Sequence, residues 1–222
     1  MLVDLSHPIR AGLVTYPGLP APIITPHLTR EASRGVYSAG TEFAMDVITM
    51  IGNTGTYLDS PFHRYADGGD LASLALETLV DLPAVVLHRA SDAGRGIGVG
   101  ELPAEAVAGT AVLLDTGWSR HFGTPAYAVD APYLTGDAAA ELVRRGVALV
   151  GIDSVNIDDT SADAAGARPA HSALLAAGIH VVEHLTALDT VPAAGATFTA
   201  VPPRVEGFGT FPVRAFAKVG TA

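Results

Sequence analysis

The sequence predicts an α/β fold, with helices packed on a sheet, in one domain that spans residues 1–222. Two observations support this prediction. A unit of helix, glycine and strand occurs twice in the second half, and short connections of this kind indicate helices lying against a sheet. The length suits one domain, since chains divide mainly beyond roughly 250 residues.

The first of these units starts with a helix over residues 137–145. Thr135 is available as its N-terminal cap, and Gly146 stands where a helix commonly ends. A strand over residues 147–152 follows at once and runs into Asp153. An acid is therefore expected at the carboxyl end of this strand, the edge at which open α/β sheets bind their ligands.

The second unit repeats the same order of elements. Residues 169–177 are predicted to be helical, with proline at the start and Gly178 just past the end. A strand over residues 179–182 then leads into Glu183. A second acid is thus expected at the same edge of the sheet.

The first half of the chain predicts strands and loops. Residues 41–51 alternate two sets of side chains with a period of two, which is the pattern of a strand. Residues 84–88 and Ala111–Asp115 are short apolar runs of the length expected for buried strands.

Composition excludes several classes of function. The net charge of −10, with no long basic cluster, argues against nucleic-acid binding, and the lack of cysteine excludes thiolate chemistry. No apolar stretch approaches the roughly 18 to 20 residues of a membrane span, so a soluble cytoplasmic protein with no membrane partner is expected. A charged fraction of only 16% suggests that part of the surface is covered in a homo-oligomer.

Polar residues are densest between positions 53 and 64. Gly55 permits unusual backbone angles and Pro61 stiffens the chain, so a rigid turn is expected to hold Asp59 and His63 at a strand end. An aspartate and a histidine so placed can bind a divalent metal, or can act as an orienting carboxylate and a general base. An ordinary turn beside a solvated imidazole is the simpler alternative.

This segment resembles the signature of the kynurenine formamidase and cyclase-like hydrolase family, His-x-Gly-Thr-His-x-Asp-x-Pro-x-His. Asn53 and Tyr57 stand where the family has its two leading histidines. The other signature residues match in register: Gly55, Thr56, Asp59, Pro61 and His63.

The resemblance extends over nearly the whole chain. Near the N-terminus, residues 4–8 followed by Tyr16-Pro17-Gly18 resemble the family's first strand and its aromatic-Pro-Gly loop. His171, followed twelve residues later by Glu183, resembles the family's later pair of metal ligands. Residues 203–214 resemble its C-terminal strands.

The resemblance implies a swivelling β/β/α cyclase-like fold, assembled as a homodimer or a homotetramer. It implies zinc or manganese and hydrolysis of an amide bond in a small molecule, although some relatives are cyclases. The last motif histidine, His63 here, would give and take the proton.

The family's two metal sites do not carry over equally. Three ligands of one site are present: Asp59, His171 and Glu183. The other site lacks two imidazoles, at positions 53 and 57. One divalent metal, zinc or manganese, is therefore expected, and a metal-free protein is the alternative.

The remaining site residues are assigned by side-chain type. Asn53 and Tyr57 are expected to fill the vacated metal pocket by hydrogen bonds; alternatively, the Tyr57 hydroxyl polarises a carbonyl. The predicted substrate pocket would favour an aromatic or planar molecule, and its lining is Tyr16, Asn53, Phe62 and Trp118. Asp153, Asp158 and Asp159 are expected to form a solvated acidic loop.

The function predicted from the sequence is a metal-dependent hydrolase of an amide or related carbonyl bond. Its catalytic residues would be His63, Asp59 and Tyr57. Two alternatives remain open: a metal-independent cyclase or dehydratase of secondary metabolism, and a noncatalytic relative that binds a small ligand.

Overall fold

The computed structural model describes residues 1–90 and 92–220. Strands are spread along the whole of this part of the chain. In chain order they are β1 (Leu2–Asp4), β2 (Ile23–Leu28), β3 (Met45–Thr49), β4 (Tyr57–Asp59), β5 (Leu82–His88), β6 (Gly96–Ile97), β7 (Ala111–Asp115), β8 (Tyr133–Leu134), β9 (Leu149–Ile152), β10 (His180–Glu183), β11 (Ala196–Thr199), β12 (Thr210–Pro212) and β13 (Phe216–Val219).

The helices are fewer and short. They are α1 (Arg30–Ser33), α2 (Gly136–Arg145) and α3 (Pro169–Ala176), accompanied by 3₁₀ turns at Pro61–His63, Leu76–Thr78, Val99–Glu101, Trp118–His121, Pro125–Ala128, Ala162–Ala164 and Leu188–Thr190. Among the described residues, no helix is long and apolar enough to cross a bilayer.

Both predicted helix–glycine–strand units are confirmed. Thr135 caps α2 by accepting from the Ala138 N–H, and Gly146 ends it with a left-handed backbone at φ +72°. The second unit runs from α3 into β10, which ends in Glu183 itself rather than just before it. The short apolar strands are confirmed as β5 and β7.

One mixed sheet of nine strands forms the centre of the fold, in the order β1-β13-β11-β5-β7-β9-β10-β4-β12. Strands β5, β7, β9 and β10 are parallel neighbours, and antiparallel strands extend the sheet on both sides. Strand β4 lies between β10 and β12 and pairs antiparallel with both. Strand β4, which carries Tyr57 and Asp59 of the signature segment, therefore lies directly beside β10, which carries Glu183.

Each face of the sheet packs against its own hydrophobic core, because side chains alternate along a strand. In β7, Leu113 joins a cluster with Phe198 and Leu58 on one face. Its neighbours Val112 and Leu114 join a cluster on the other face, which is covered by α2 and α3. These two cores hold the carboxyl ends of the parallel strands rigidly in place.

Strands β2 and β3 form a separate two-stranded ribbon. The alternation over residues 41–51 does mark a strand, but all five residues of β3 are exposed, so neither of its faces is buried against the main sheet. The exposed apolar side chains of the ribbon are Ile23, Ile24, Met45, Val47 and Ile48. Periodicity identified the strand, yet it could not show what covers it.

Candidate metal and catalytic site

The loop before β4 is held by contacts with the N-terminal segment. Gly55 adopts φ +66°, and its N–H donates to the Thr15 hydroxyl over 2.8 Å. The Thr56 hydroxyl accepts from the His7 N–H and donates to the carbonyl of His184. This loop therefore enters β4 in a defined register, and Gly55 adopts the left-handed backbone that its place in the motif allowed.

Three potential metal ligands meet beside the antiparallel strands β4 and β10. One ligand atom from each of Asp59, His171 and Glu183 lies within 4.8 Å of the other two, and all three residues are buried. His171 Nε2 lies 3.6 Å from Asp59 Oδ2 and 3.5 Å from Glu183 Oε1. The structure thus brings together the three residues that the sequence predicted as ligands.

The orientation of His171 is set by Asp158. His171 Nδ1 lies 2.7 Å from Asp158 Oδ2, and the same carboxylate accepts from the backbone N–H groups of Ala170 and His171 at the start of α3. Because Nδ1 faces this carboxylate, Nε2 faces the cluster. A carboxylate behind a histidine is the usual support for a metal-binding imidazole.

The charges of this cluster fit a divalent cation. Three buried carboxylates surround the imidazole of His171, those of Asp59, Asp158 and Glu183. Buried negative charges of this kind are stable only when a positive charge compensates them. Burial alone would lower the pKa of His171, but these carboxylates outweigh burial and raise its pKa to about 10. Asp59 Oδ2 is buried and has no hydrogen-bond partner among the described residues, and it points at the place where a metal would lie.

Glu183 is fixed through both of its oxygens. Oε1 accepts from the Ile157 N–H and Oε2 from the Tyr57 hydroxyl, each over 2.6 Å. Burial raises the pKa of Glu183 above its usual range, although His171 opposes this shift. The carboxylate is therefore already oriented before any ligand arrives.

Tyr57 fills space beside these ligands as a neutral phenol. Burial, followed by the charges of Glu183 and Asp59, raises the pKa of Tyr57 well above its ordinary value. Its hydroxyl donates to Glu183 and lies 3.2 Å from His184 Nε2. Since its proton is committed to Glu183, this arrangement favours the space-filling prediction over the polarisation of a carbonyl.

His63 reaches the site from the 3₁₀ turn that follows β4. Its Nδ1 lies 2.7 Å from the Thr210 hydroxyl, which donates to Asp59 Oδ1. With the hydroxyl hydrogen used on Asp59, Thr210 can accept from His63 Nδ1–H, which leaves Nε2 as the nitrogen free to exchange a proton with a substrate. Gly209 permits this approach, because a Cβ there would lie 2.4 Å from the His63 backbone nitrogen.

Two adjoining cavities open above the cluster. A cavity of about 140 Å³ is lined by Asn53, Tyr57, His63, Arg64, Asn156, Arg168, His171 and Glu183. A second, of about 300 Å³, shares Asn53 and His63 with the first and adds Phe62 and Phe208. The predicted pocket residues Asn53 and Phe62 therefore lie at the site.

Tyr16 and Trp118 lie elsewhere. They pack against a buried cluster with Tyr127, and the Trp118 indole donates to the Tyr127 carbonyl over 2.8 Å. Neither lines the two cavities over the metal ligands. Their assignment to the substrate pocket stays a prediction, whereas their packing in this structure is that of core aromatics.

The prediction of a solvated acidic loop is wrong for two of its three members. Asp158 is buried against α3. Asp153 is also buried, and its carboxylate accepts from the backbone N–H and hydroxyl of Thr116 and from the Trp118 N–H. Only Asp159 remains partly exposed, in an ion pair with Arg95.

Sequence reasoning also missed Thr210 and His184. Neither lies in a local pattern that marks a site, because each meets the motif only through pairing of distant strands. For His184, the one signal in the sequence was its position directly after Glu183.

The fold and the site together are those of an α/β enzyme with a buried cluster of carboxylates and an imidazole beside strands β4 and β10. Residues 3–159 match the model of the family described as "Putative cyclase", so the chain belongs to this cyclase family. Of the candidate ligands, this match includes Asp59 but ends before His171 and Glu183.

Individual relatives agree with this assignment. A kynurenine formamidase from Geobacillus thermodenitrificans (strain NG80-2) is 32% identical over 216 residues, which cover 96% of this chain and 95% of the relative. The structure of isatin hydrolase A from Ralstonia solanacearum superposes with a TM-score of 0.82 at 25% identity, covering 99% of this chain and 92% of the other. The structure of a potential metal-dependent hydrolase with cyclase activity shares the fold, with a TM-score of 0.76 at 24% identity and coverage of 98% and 96%.

Proposed function

We propose that this protein is a metal-dependent hydrolase of an amide bond in a small aromatic or cyclic molecule. The observation that carries the proposal is the meeting of Asp59, His171 and Glu183 within 4.8 Å, beside a cavity that His171, Glu183 and His63 line. Three protein ligands with an open position are the usual arrangement of a catalytic metal.

One divalent metal, zinc or manganese, fits this donor set of one imidazole and two carboxylates. Bound there, the metal would supply Lewis-acid polarisation of a carbonyl and an activated water. Asp158 keeps the imidazole turned toward the cluster, and Tyr57 keeps the Glu183 carboxylate turned the same way. Both supports are in place without rearrangement.

His63 is the proposed proton carrier. Its Nδ1 is engaged by Thr210, and the residue lines both cavities. A neutral Nε2 can take a proton from the attacking water and return it to the departing amide nitrogen, so that the amide and water become a carboxylic acid and an amine. Asp59 stabilises the imidazolium through the Thr210 hydroxyl.

The relatives support the same class of substrate. Two of them, a kynurenine formamidase and an isatin hydrolase, are named for the hydrolysis of a formamide and of isatin, which is a cyclic aryl amide. The two phenylalanines of the larger cavity, Phe62 and Phe208, suit a planar ring.

Reconstitution tests the proposal directly. Purified protein is stripped of metal, reloaded with zinc or manganese, and assayed against formanilide and isatin, with His63→Ala as the matched inactive control. We expect hydrolysis of at least one compound that depends on both metal and His63. Equal turnover by the stripped protein would overturn the requirement for a metal, and metal-independent binding without turnover would support the noncatalytic relative.

A homo-oligomer is also proposed, with a second copy of this chain packed on the β2–β3 ribbon. A two-stranded ribbon is marginally stable alone in water, and this one exposes apolar side chains along both strands. The charged fraction of only 16% favours burial of such a surface against an equally apolar partner.

Light scattering at micromolar concentration tests the assembly. We expect a multiple of the 22.7 kDa chain mass for the wild type and a smaller species for Ile48→Lys. Val129→Lys is the control, because Val129 is similarly exposed, at 59% against 53% for Ile48, but lies outside the ribbon. A wild-type monomer would rule the assembly out.

A further inference from the structure

Two arginines line the smaller cavity above the metal ligands, Arg64 and Arg168. We propose that the substrate carries a carboxylate, which these two guanidinium groups hold while the amide carbonyl lies beside His63. This inference rests on the proposed function, because it names the substrate class of that same site. Arginine is the side chain best suited to such recognition, since its donors match the two oxygens of a carboxylate.

Arg64 is exposed but rests on a fixed platform. Its guanidinium carbon lies 5.4 Å from the centre of the Tyr65 ring, and the Tyr65 hydroxyl donates to the Ser172 carbonyl over 2.9 Å. Within residues 1–90 and 92–220, no carboxylate lies within 4.0 Å of this guanidinium. Its donors are therefore available at the cavity wall.

Arg168 stands immediately before α3, three residues from His171. Its Nη1 donates to the backbone carbonyls of Asp159 and Ala167, over 3.2 and 2.8 Å. These carbonyls orient the guanidinium without neutralising it. In the part of the chain that the structure describes, Arg168 makes no ion pair either.

Two arginines without an ion pair at one cavity stand out against the rest of the described chain. Acidic residues outnumber basic ones by 23 to 13, and partly buried arginines elsewhere are paired, as Arg89 is with Glu101 and Arg95 with Asp159. The floor of this cavity is itself acidic, since Glu183 lines it and the buried Asp59 has a carboxylate oxygen within 4.8 Å of Glu183. Two cationic groups at its wall attract an anion that the protein's overall charge would repel.

The other wall residues suggest how such a molecule lies. Asn53 and Asn156 add amide groups to the smaller cavity, while Phe62 and Phe208 line the adjoining one. A planar ring beside the phenylalanines would place an amide at His63, which both cavities share. A carboxylate on the same ring would then lie toward the smaller cavity, whose wall includes both arginines.

A charged and a neutral form of one probe test this inference. The zinc-loaded enzyme is assayed with 3-formamidobenzoate and with its methyl ester, which share the formamide but differ in charge. We expect a KM about tenfold or more lower for the acid, because charge-assisted hydrogen bonds are formed only with it, at similar kcat. Arg64→Gln and Arg168→Gln should each weaken this preference, and the double variant should abolish it.

Two further variants separate recognition from general charge or folding effects. Arg168→Lys keeps the charge and should retain part of the preference. Arg120→Gln removes an unpaired arginine that lies 5.6 Å over Trp118, outside both cavities, and should leave the preference unchanged. Equal KM values for acid and ester in the wild type would overturn the inference while leaving the proposed hydrolysis intact.

A binding measurement covers the case in which the protein hydrolyses neither probe. Isothermal titration of the same two probes into zinc-loaded His63→Ala measures affinity alone. Tighter binding of the acid that is lost in the arginine variants would support carboxylate recognition even if neither probe is hydrolysed. Equal affinity for acid and ester would again overturn it.

Discussion

His171 donates from Nδ1 to the carboxylate of Asp158 over 2.7 Å, and its other nitrogen consequently faces Asp59 and Glu183. Asp158 is buried and anchored by the first backbone N–H groups of α3, so the imidazole has little freedom to turn. Nε2 is thus held in the direction of the other two candidate metal ligands.

Replacing this support should weaken metal binding. Asp158→Asn keeps one of the two acceptor oxygens and loses the negative charge behind His171, and we expect zinc affinity to fall by about 10- to 100-fold. Competition with a fluorescent chelator measures the change. Asp159→Asn is the control, since Asp159 pairs with Arg95 and should affect zinc affinity little.

Removal of the proposed proton carrier should abolish turnover without unfolding the protein. The His63 side chain is 37% exposed, so His63→Ala leaves no buried void, and the change in unfolding free energy should stay below about 1 kcal/mol. Hydrolysis rates and urea denaturation are compared in the same preparation. An active His63→Ala enzyme would remove His63 from the mechanism.

Thr210 is expected to act on the reaction by positioning His63 and Asp59, since its hydroxyl contacts both side chains. Thr210→Val keeps the shape but loses the hydroxyl between His63 and Asp59, and we expect kcat to fall at least about tenfold with KM little changed. Thr210→Ser restores the hydroxyl and should recover most of the rate. Equal loss in both variants would indicate a packing effect instead.

Metal stoichiometry should be one equivalent per chain. Tyr57 occupies the position of a signature histidine and is hydrogen-bonded to Glu183, so a second ion lacks ligands there. The double variant Asn53→His with Tyr57→His should gain zinc affinity at this place, and the single variants should gain much less, because each adds only one imidazole. Elemental analysis and zinc titration of all four proteins decide this.

Stability should fall between about pH 6.5 and pH 4 through His180. Burial lowers the pKa of His180 to about 4, and its Nε2 lies 3.0 Å from the Thr78 hydroxyl, while Nδ1 is buried with no partner among the described residues. The unfolded chain binds this proton more readily, so the folded state loses stability as pH falls.

The matching variant is His180→Asn, which does not titrate. From pH 7.5 to pH 5 the wild type should lose about 2 kcal/mol more unfolding free energy than the variant. Denaturation curves at both pH values measure the difference. Parallel losses would show that another group carries the acid sensitivity.

The parts of this site that could be predicted are those written in local patterns. The turn around Gly55 and Pro61 predicted a fixed Asp59 and His63, and the helix–glycine–strand unit placed Glu183 at a strand end. His171 was identified through its spacing from Glu183 in the family resemblance. These patterns depend on neighbours a few residues away.

The residues that were missed depend on contacts between distant segments. Asp158 resembles a solvated loop acid, and only the approach of α3 buries it. Thr210 lies on a strand whose pairing with β4 has no local signature. For the same reason the exposed faces of β3 could not be predicted from its alternation, since burial depends on what lies opposite.

The position of β4 between β10 and β12 bears on how the newly synthesised chain gains its activity. All three candidate ligands have been translated once Glu183 is made, and pairing of β4 with β10 is enough to bring Asp59 to them. Thr210, which ties His63 to Asp59, arrives only with the later edge strand β12. The three candidate metal ligands can therefore come together in a nascent chain before Thr210 reaches His63, so the proposed proton transfer has to wait until β12 has paired with β4.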